Sequence, residues 1–343
     1  MSKIKPSKGA PYARIMGVGG YRPTRVVPNE VILETIDSSD EWIRSRSGIA
    51  TRHWASDEET VAAMSIEASG KAIADAGITP EQIGGVIVAT VSHFQQTPAI
   101  ATEIADKIGA GKPAAFDISA GCAGFGYGLT LAKGMVVEGS AEYVLVIGVE
   151  RLSDLTDLED RATAFLFGDG AGAVIVGPSQ EPKMGPTIWG SEGDKSETIK
   201  QTVPWNELHV GDVSKLPLDS AGNIKFPAIT QEGQAVFRWA VFEMAKVAKE
   251  ALDAAGLSPD DLDVFIPHQA NMRIIDSMVK TLKLPEHVTV ARDVETTGNT
   301  SAASIPLAME RLLATGAAKS GDTALVIGFG AGLVYAATVV TLP

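Results

Sequence analysis

Cys122 is the chain's only cysteine, and it stands within Phe116-Asp117-Ile118-Ser119-Ala120-Gly121-Cys122-Ala123-Gly124-Phe125-Gly126, a collar of glycine and alanine. An isolated cysteine is most often a small buried hydrophobe. Its setting here argues otherwise. Residues 114–119 read as a short strand, and Phe125, Leu129, Ala132 and Val136 recur at helical spacing, so Cys122 falls where a strand turns into a helix. A helix start presents free N–H groups and partial positive charge, which favour a thiolate and supply donors to an oxyanion. That is the local chemistry of a nucleophile.

Two further residues belong to the same chemistry. Of the five histidines, His53, His93, His209 and His287 lie in polar or loop-like surroundings, whereas His268, in Phe265-Ile266-Pro267-His268-Gln269-Ala270-Asn271, ends an apolar strand and precedes a helix. Asn299 follows Gly298 and opens Asn299-Thr300-Ser301-Ala302-Ala303-Ser304, just ahead of Ile305, Ala308, Met309 and Leu312. Alone it would be a plain helix N-cap. A thiol with two such hydrogen-bonding partners suits acyl transfer through a thioester, the cysteine carrying the acyl group while His268 and Asn299 hold the oxygen of a developing enolate. A cysteine hydrolase also needs Cys and His, so the trio alone leaves hydrolysis and carbon–carbon bond formation both open.

The elements that must position these residues alternate. Ser38-Ser39-Asp40-Glu41 predicts a capped helix through Trp42 and Arg46 to Gly48, with Trp42 and Arg46 four apart on one face. Ser56 and Glu59 predict the start of a second helix carrying Val61, Met64, Ala68 and Ala72. Strands are expected at 85–90, 114–119, 143–149 and 173–177, with helices between them, which implies a largely parallel sheet covered by helices. The second half then repeats the first. Ala76-Gly77-Ile78-Thr79-Pro80-Glu81-Gln82-Ile83 matches Ala255-Gly256-Leu257-Ser258-Pro259-Asp260-Asp261-Leu262 at an offset of 179 (256 minus 77), and Leu145-Val146-Ile147-Gly148 matches Leu325-Val326-Ile327-Gly328 at 180 (325 minus 145). An offset of 179 sets Ala89 opposite His268, and aligning Gly139 with Gly316 gives 177, which sets Cys122 opposite Asn299. All three residues then occupy strand-to-helix ends, where open α/β sheets place their sites. Residues 178–233, rich in Pro, Gly and polar side chains, read as an insertion of loops and short elements between the halves.

The whole chain sets limits. Its 343 residues, 45% hydrophobic and 21% charged, suffice for about two domains and a large core. One cysteine excludes a disulfide framework and CxxC zinc sites, and points to a reducing compartment. Lys3, Lys5 and Lys8 precede no apolar run of signal-peptide length, so a cytoplasmic protein with a loose N-terminal tail is expected. The net charge of −13, from 29 basic and 42 acidic residues, argues against nucleic acid or an anionic membrane as partner. Gly168-Asp169-Gly170-Ala171-Gly172-Ala173 and Gly328-Phe329-Gly330-Ala331-Gly332 look like dinucleotide loops, yet each leads into a strand-like run rather than a helix, which excludes that use. Gly330 to Gly332 instead bring backbone close to the reacting centre, where an N–H can complete an oxyanion hole with that of Cys122.

Gly121-Cys122-Ala123-Gly124-Phe125, Pro267-His268-Gln269-Ala270-Asn271 and Gly298-Asn299-Thr300-Ser301-Ala302-Ala303-Ser304, in that order, closely resemble β-ketoacyl-acyl carrier protein synthase III of the thiolase-like superfamily. The resemblance runs from about Ile15 to the C-terminus and includes Ser39-Asp40-Glu41-Trp42-Ile43 and Phe167-Gly168-Asp169-Gly170-Ala171-Gly172. Elongating relatives use Cys-His-His and thiolases a second cysteine, which this chain lacks.

The resemblance implies a homodimer of duplicated thiolase-like subunits in five α-β-α-β-α layers, with residues 1–182 carrying the cysteine and residues 183–343 carrying His268 and Asn299. It implies a two-step initiating reaction of fatty-acid synthesis with no metal or redox cofactor. Cys122 takes an acyl group from acyl-coenzyme A; malonyl-acyl carrier protein then loses carbon dioxide, and its enolate attacks the thioester to give 3-oxoacyl-acyl carrier protein. Trp42 and Arg161 match positions that sandwich the adenine of coenzyme A, Arg46 and Ser47 lie near the nucleotide, and Asn271 touches the pantetheine arm. Arg238, Arg273 and Lys280 are the expected basic patch for the acidic carrier protein. Ala331 stands in a segment usually glycine throughout, as the second oxyanion donor. Thr97 replaces a bulky aromatic of acetyl-selective relatives at the acyl pocket, so branched primers are expected as well as acetyl. The alternatives are a priming enzyme of polyketide or other secondary metabolism and a non-catalytic dimeric binding protein.

Overall fold

The computed structural model describes residues 4–211 and 216–343, and no side chain is described for His209 or Val210. Lys3 therefore lies outside the described residues, as does the surrounding of His209. The strands, in chain order, are β1 Tyr12–Tyr21, β2 Arg25–Pro28, β3 Thr51–Trp54, β4 Ile83–Ala89, β5 Ala114–Ile118, β6 Tyr143–Arg151, β7 Asp169–Ser179, β8 Ile188–Ser191, β9 Ile199–Gln201, β10 Ile229–Gln231, β11 Val264–Pro267, β12 Thr289–Val290, β13 Thr323–Gly330 and β14 Val334–Thr341.

Ten of them form two five-stranded sheets, ordered β1-β7-β6-β4-β5 and β8-β14-β13-β11-β12. In both, the central pairs β4·β6 and β11·β13 are parallel, while β6·β7 and β13·β14 are antiparallel. Each strand of one sheet thus has its counterpart in the other, and the chain passes between them after Ser179 and before Ile188.

Side-chain alternation explains the layering. On β6, Val144 and Val146 point into the cluster between the sheets, and Leu145, Ile147 and Val149 into the cluster beneath the outer helices Val61–Ala76 and Ile100–Lys107. On β13, Ala324 and Val326 face inward and Leu325, Ile327 and Phe329 face the outer helices Gly233–Ala255 and Met272–Leu282. Strands apolar on both faces are what a sheet buried on both sides requires. The middle layer is the helix pair Gly124–Glu138 and Ser304–Ala314, whose Phe125, Leu129, Ile305 and Met309 share the central cluster with both sheets. The result is five layers, α-β-α-β-α.

Several local expectations need correction. The second helix starts at Val61 with Thr60 as N-cap, not at Ser56. Glu59 is spent elsewhere, accepting hydrogen bonds from the Tyr21 hydroxyl and from the Ser56 and Thr24 amides, and is nearly buried. The tail is tied down where it reaches the body: Ala10 N–H donates to Val136 O, and a Cβ on Gly9 would lie 2.0 Å from Val137 O. Within 178–233, β8 is no insertion but the edge strand of the second sheet, while β9 and β10 pair only with each other.

The repeat also has a different register around the cysteine. A short turn, Gly121–Ala123, precedes the first central helix, and the matching turn Ser301–Ala303 precedes the second, at an offset of 180 (301 minus 121). Gly121 and Ser301 share a left-handed φ of 46°. Cys122 is therefore equivalent to Ala302, not to Asn299. The offset of 177 inferred from Gly139 and Gly316 arises because the second central helix has 11 residues and the first 15, so the shortening lies after the turn. Ala89 remains opposite His268, since Ala89 pairs with Gly148 and His268 N–H bonds Ile327 O beside Gly328.

Candidate active site

Both turns sit where the parallel strands end, and they are pressed together by glycines. A Cβ on Gly148 would lie 2.1 Å from Ala302 O, and one on Gly328 2.9 Å from Cys122 O. A Cβ on Gly330 would lie 2.8 Å from the Cys122 sulfur. These are approaches only glycine permits. They place Cys122, His268 and Asn299, three of the residues expected from the sequence, on the wall of one cavity of about 810 Å³. Ala331 lines the same cavity. Ala331 stands in the turn that follows β13, and Cys122 in the turn before the first central helix.

His268 is 2% exposed and packs edge-on against Phe329 at 5.4 Å. Its Nδ1 lies 2.7 Å from Ser304 Oγ, which also accepts the Gln269 N–H at 3.3 Å. That leaves the serine proton for Nδ1, so the network assigns an imidazole whose Nε2 carries the hydrogen. Burial pushes the His268 pKa down to about 3, keeping the ring neutral. Asn299 is held by backbone bonds to Leu166 and Gly168, and its Oδ1 accepts the Ser301 N–H at 2.9 Å, which frees Nδ2 to donate. A neutral N–H and an amide N–H on one cavity wall stabilise negative charge on an oxygen; neither is suited to act as a strong base.

Cys122 does not carry the low pKa expected from a helix start. Burial pushes its thiol up to about 12; a hydrogen bond from the Ser301 hydroxyl works against this, and the nearby Glu150 carboxyl adds to it. The helix terminus is real, but desolvation of a thiolate in a closed apolar collar outweighs it.

Glu150, Ser301 and Ser304 went unremarked as functional candidates in the sequence. Glu150 is fully buried at the end of β6 and accepts from Ser92 Oγ (2.6 Å), Val91 N (3.1 Å), Thr90 Oγ1 (3.3 Å) and Ser301 Oγ (3.2 Å). Burial raises its pKa to about 7 against the lowering effect of these bonds. A charged residue closing the apolar run Val144-Leu145-Val146-Ile147-Gly148-Val149 was the available signal.

The outer candidates are placed as follows. Trp42 and Arg46 share a face of the helix Asp40–Ser47, with Arg46 5.8 Å and Arg161 4.9 Å from the Trp42 ring centroid, and Phe165 meets the ring edge-on. None of these three lines the cavity itself. Ser47 departs from expectation: it is fully buried, and its hydroxyl donates to Ile43 O and accepts from Ile49 N–H, so it offers nothing to a nucleotide. Asn271 caps the helix Met272–Leu282 through Arg273 N–H and donates to Arg46 O, which ties the two outer helices together. Arg238, Arg273 and Lys280 are all exposed, with Arg273 stacked over Phe237 at 5.2 Å. Thr97 also departs from expectation: it is exposed, and within the protomer the cavity is lined by the preceding Phe94, Gln95 and Gln96 instead. No helix among the described residues is long and apolar enough to cross a membrane, and no grouping of His, Cys, Asp or Glu among them could hold a metal ion.

Comparison with known proteins is consistent with this geometry. The family description 3-oxoacyl-[acyl-carrier-protein] synthase III matches residues 116–193, and its C-terminal part matches residues 252–342. The chain is 88% identical to β-ketoacyl-[acyl-carrier-protein] synthase III 1 of Streptomyces coelicolor over the full length of both. Among solved structures it is similar to the priming β-ketosynthase of the R1128 polyketide pathway (43% identity, TM-score 0.93, covering 100% of this chain and 99% of that one). It is also similar to 3-oxoacyl-[acyl-carrier-protein] synthase III of Aquifex aeolicus (37% identity, TM-score 0.84, covering 96% and 99%).

Proposed function

The chain belongs to the β-ketoacyl-acyl carrier protein synthase III family and is the initiating condensing enzyme of fatty-acid synthesis, and from that premise we propose how its own residues divide the reaction. Cys122 carries the acyl group. The observation that supports this most is the cavity wall on which the thiol meets His268 and Asn299, both with their second polar atom already satisfied and a donor to spare. In the first step the Cys122 sulfur attacks the thioester of acyl-coenzyme A and coenzyme A leaves; the N–H groups of Cys122 and Ala331 receive the oxyanion. In the second, malonyl-acyl carrier protein loses carbon dioxide, and His268 Nε2–H and Asn299 Nδ2–H hold the enolate oxygen while its carbon attacks the acyl-enzyme. Loss of carbon dioxide makes the condensation effectively irreversible.

Trp42, Arg161 and Arg46 form the adenine and nucleotide contacts of coenzyme A, and Arg238, Arg273 and Lys280 receive the acidic carrier protein. The active form is a homodimer; the exposed Phe94, Trp205 and Phe226, with ring centroids 5.3–5.4 Å apart, supply an apolar face beside Thr97 for a second copy. Acetyl and short branched primers are both expected substrates, on the sequence reading of Thr97. Similarity to a polyketide priming enzyme supports a second reading, the same chemistry with a different primer or carrier.

Intact-protein mass spectrometry after mixing with acyl-coenzyme A tests the assignment. A stoichiometric adduct is expected on the native chain and none on Cys122→Ala. His268→Ala and Asn299→Ala are expected to acylate but to lose malonyl decarboxylation, and unchanged decarboxylation in both would remove their role. Scanning primers by adduct mass tests the primer range; rejection of isobutyryl-coenzyme A refutes the branched one.

A further inference from the structure

The Ser301 hydroxyl has one proton and two acceptors. It lies 3.2 Å from Glu150 Oε1, and in the facing turn it stands beside Cys122, whose thiol pKa it lowers. The backbone is unusual at this residue. Ser301 has a φ of 46°, a conformation its counterpart Gly121 adopts freely and a serine does not, and Lys283 is the only other non-glycine residue with positive φ among those described. A side chain held in a disfavoured backbone conformation between the half-buried, cavity-lining thiol and a buried carboxyl is a feature that packing alone does not explain. Glu150 in turn bonds three hydroxyls and one amide, all neutral donors.

We propose that Glu150 is the acceptor of the Cys122 thiol proton during acyl transfer, reached through the Ser301 hydroxyl. As the sulfur attacks the thioester carbon, the S–H bond breaks and its proton passes to Ser301 Oγ. The original Ser301 proton passes to Glu150 Oε1, leaving a neutral carboxylic acid. The S–C bond to the acyl group forms, the C–S bond to coenzyme A breaks, and the proton returns from Glu150 through Ser301 to the departing sulfur. Protons and charge balance without any further reactant.

The other groups near the thiol do not offer this. His268 is held neutral by burial far below its ordinary range, so it is a poor base. Arg151, next along β6, turns to Asp57 and Asp154. On β7 the residue opposite Glu150 is Gly170, and Asp169 is occupied by Ser153 and Ala55. From the loop after β4 come only Thr90, the Val91 amide and Ser92, and from the two turns only Cys122 and Ser301. A carboxyl that titrates near neutrality is matched to a general base working at neutral pH.

The inference rests on Cys122 being the acyl carrier, and the test separates the two. Rapid-quench acylation by acetyl-coenzyme A, read by intact mass across pH, isolates the first step; decarboxylation of malonyl-acyl carrier protein by pre-acylated enzyme isolates the second. Ser301→Gly suits the left-handed backbone and copies Gly121, so it retains the fold. Ser301→Gly and Glu150→Gln are each expected to acylate on the order of 10²-fold more slowly, with the native acid limb near neutrality lost. The double variant should be no slower than either, because the two residues act as one unit. Decarboxylation by the pre-acylated Ser301→Gly enzyme should change by less than about threefold. Ser301→Gly acylating at the native rate with the native pH profile would overturn the relay, as would equal losses in both steps. An adduct missing from the native enzyme with every primer would instead overturn the assignment of Cys122.

Discussion

The turns Gly121–Ala123 and Ser301–Ala303 share one backbone and bring different side chains to one cavity. Position for position, Gly121 faces Ser301, Cys122 faces Ala302, Gly124 faces Ser304, Ala89 faces His268 and Glu150 faces Gly330. In each of these five pairs, one half carries glycine or alanine where the other carries a polar side chain or the thiol; Asn299, opposite Ser119, is the exception. The reason is room. Gly124 packs against Ala89 where Ser304 bonds His268, and a Cβ on Gly330 would lie 2.8 Å from the sulfur where Glu150 reaches Ser301. A duplicated frame brings two strand ends face to face, and one cavity is lined by Cys122 from the first copy and by His268, Asn299 and Ser301 from the second.

The largest effect that would break this comparison is a transplant. Moving the thiol by Cys122→Ala with Ala302→Cys keeps the residue count and the turn, yet adduct formation is expected to fall by at least about 10⁴-fold, since the new sulfur lies on the far side of the pair, buried against Gly124 and Gly148. An adduct at residue 302 formed at near-native rate would show the halves to be interchangeable.

A smaller effect sharpens the packing asymmetry. Gly148→Ala drives a methyl group to 2.1 Å from the Ala302 carbonyl, whereas Gly328→Ala stops at 2.9 Å from the Cys122 carbonyl. Both obstacles are backbone. In denaturant unfolding the first substitution is expected to cost about 3 kcal/mol or more and the second about 1 kcal/mol. Equal losses would mean that the two turns are equally tight.

The most gradual effect lies in pH dependence, where the halves have opposite signs. His268 goes from 6.5 when unfolded to about 3 when folded. The unfolded chain therefore binds the proton first, and stability falls as pH drops from 6.5 toward 3. Glu150 goes from 4.5 to about 7, so the folded chain binds that proton first and stability falls as pH rises from 4.5 to 7. Each slope is at most about 1.4 kcal/mol per pH unit. His268→Gln should flatten the acid side of the stability profile and Glu150→Gln the neutral side. Melting temperatures that shift by the same amount at every pH would contradict both assignments.

Much of this was legible in one dimension. Periodicity gave the alternating strands and helices, and the Ala76-Gly77 and Ala255-Gly256 segments gave the duplication, because a helix stop followed by a capped turn is written in consecutive residues. His268 stood out because it ends an apolar strand, Cys122 because it falls where a strand turns into a helix, and Asn299 because it opens a helix, and all three line the cavity. The surroundings of Ser47 and Thr97 were not legible, since nothing local tells that one hydroxyl is buried in its own helix and that the other is exposed outside the protomer's cavity. Register at the cysteine was off by three residues because a shortened helix leaves no mark until both turns are seen.

The sequence by itself determined the alternation of strands and helices and the repeat, and singled out Cys122 as the candidate nucleophile, since these follow from side-chain pattern over distances of a few residues. Only the tertiary structure decided which residue opposes which across the two copies, that the thiol is raised rather than lowered in pKa, and that Glu150 and Ser301 stand behind it. Those outcomes depend on burial and on contacts spanning 151 positions of chain, and desolvation has no signature in residue order until the fold has removed the water.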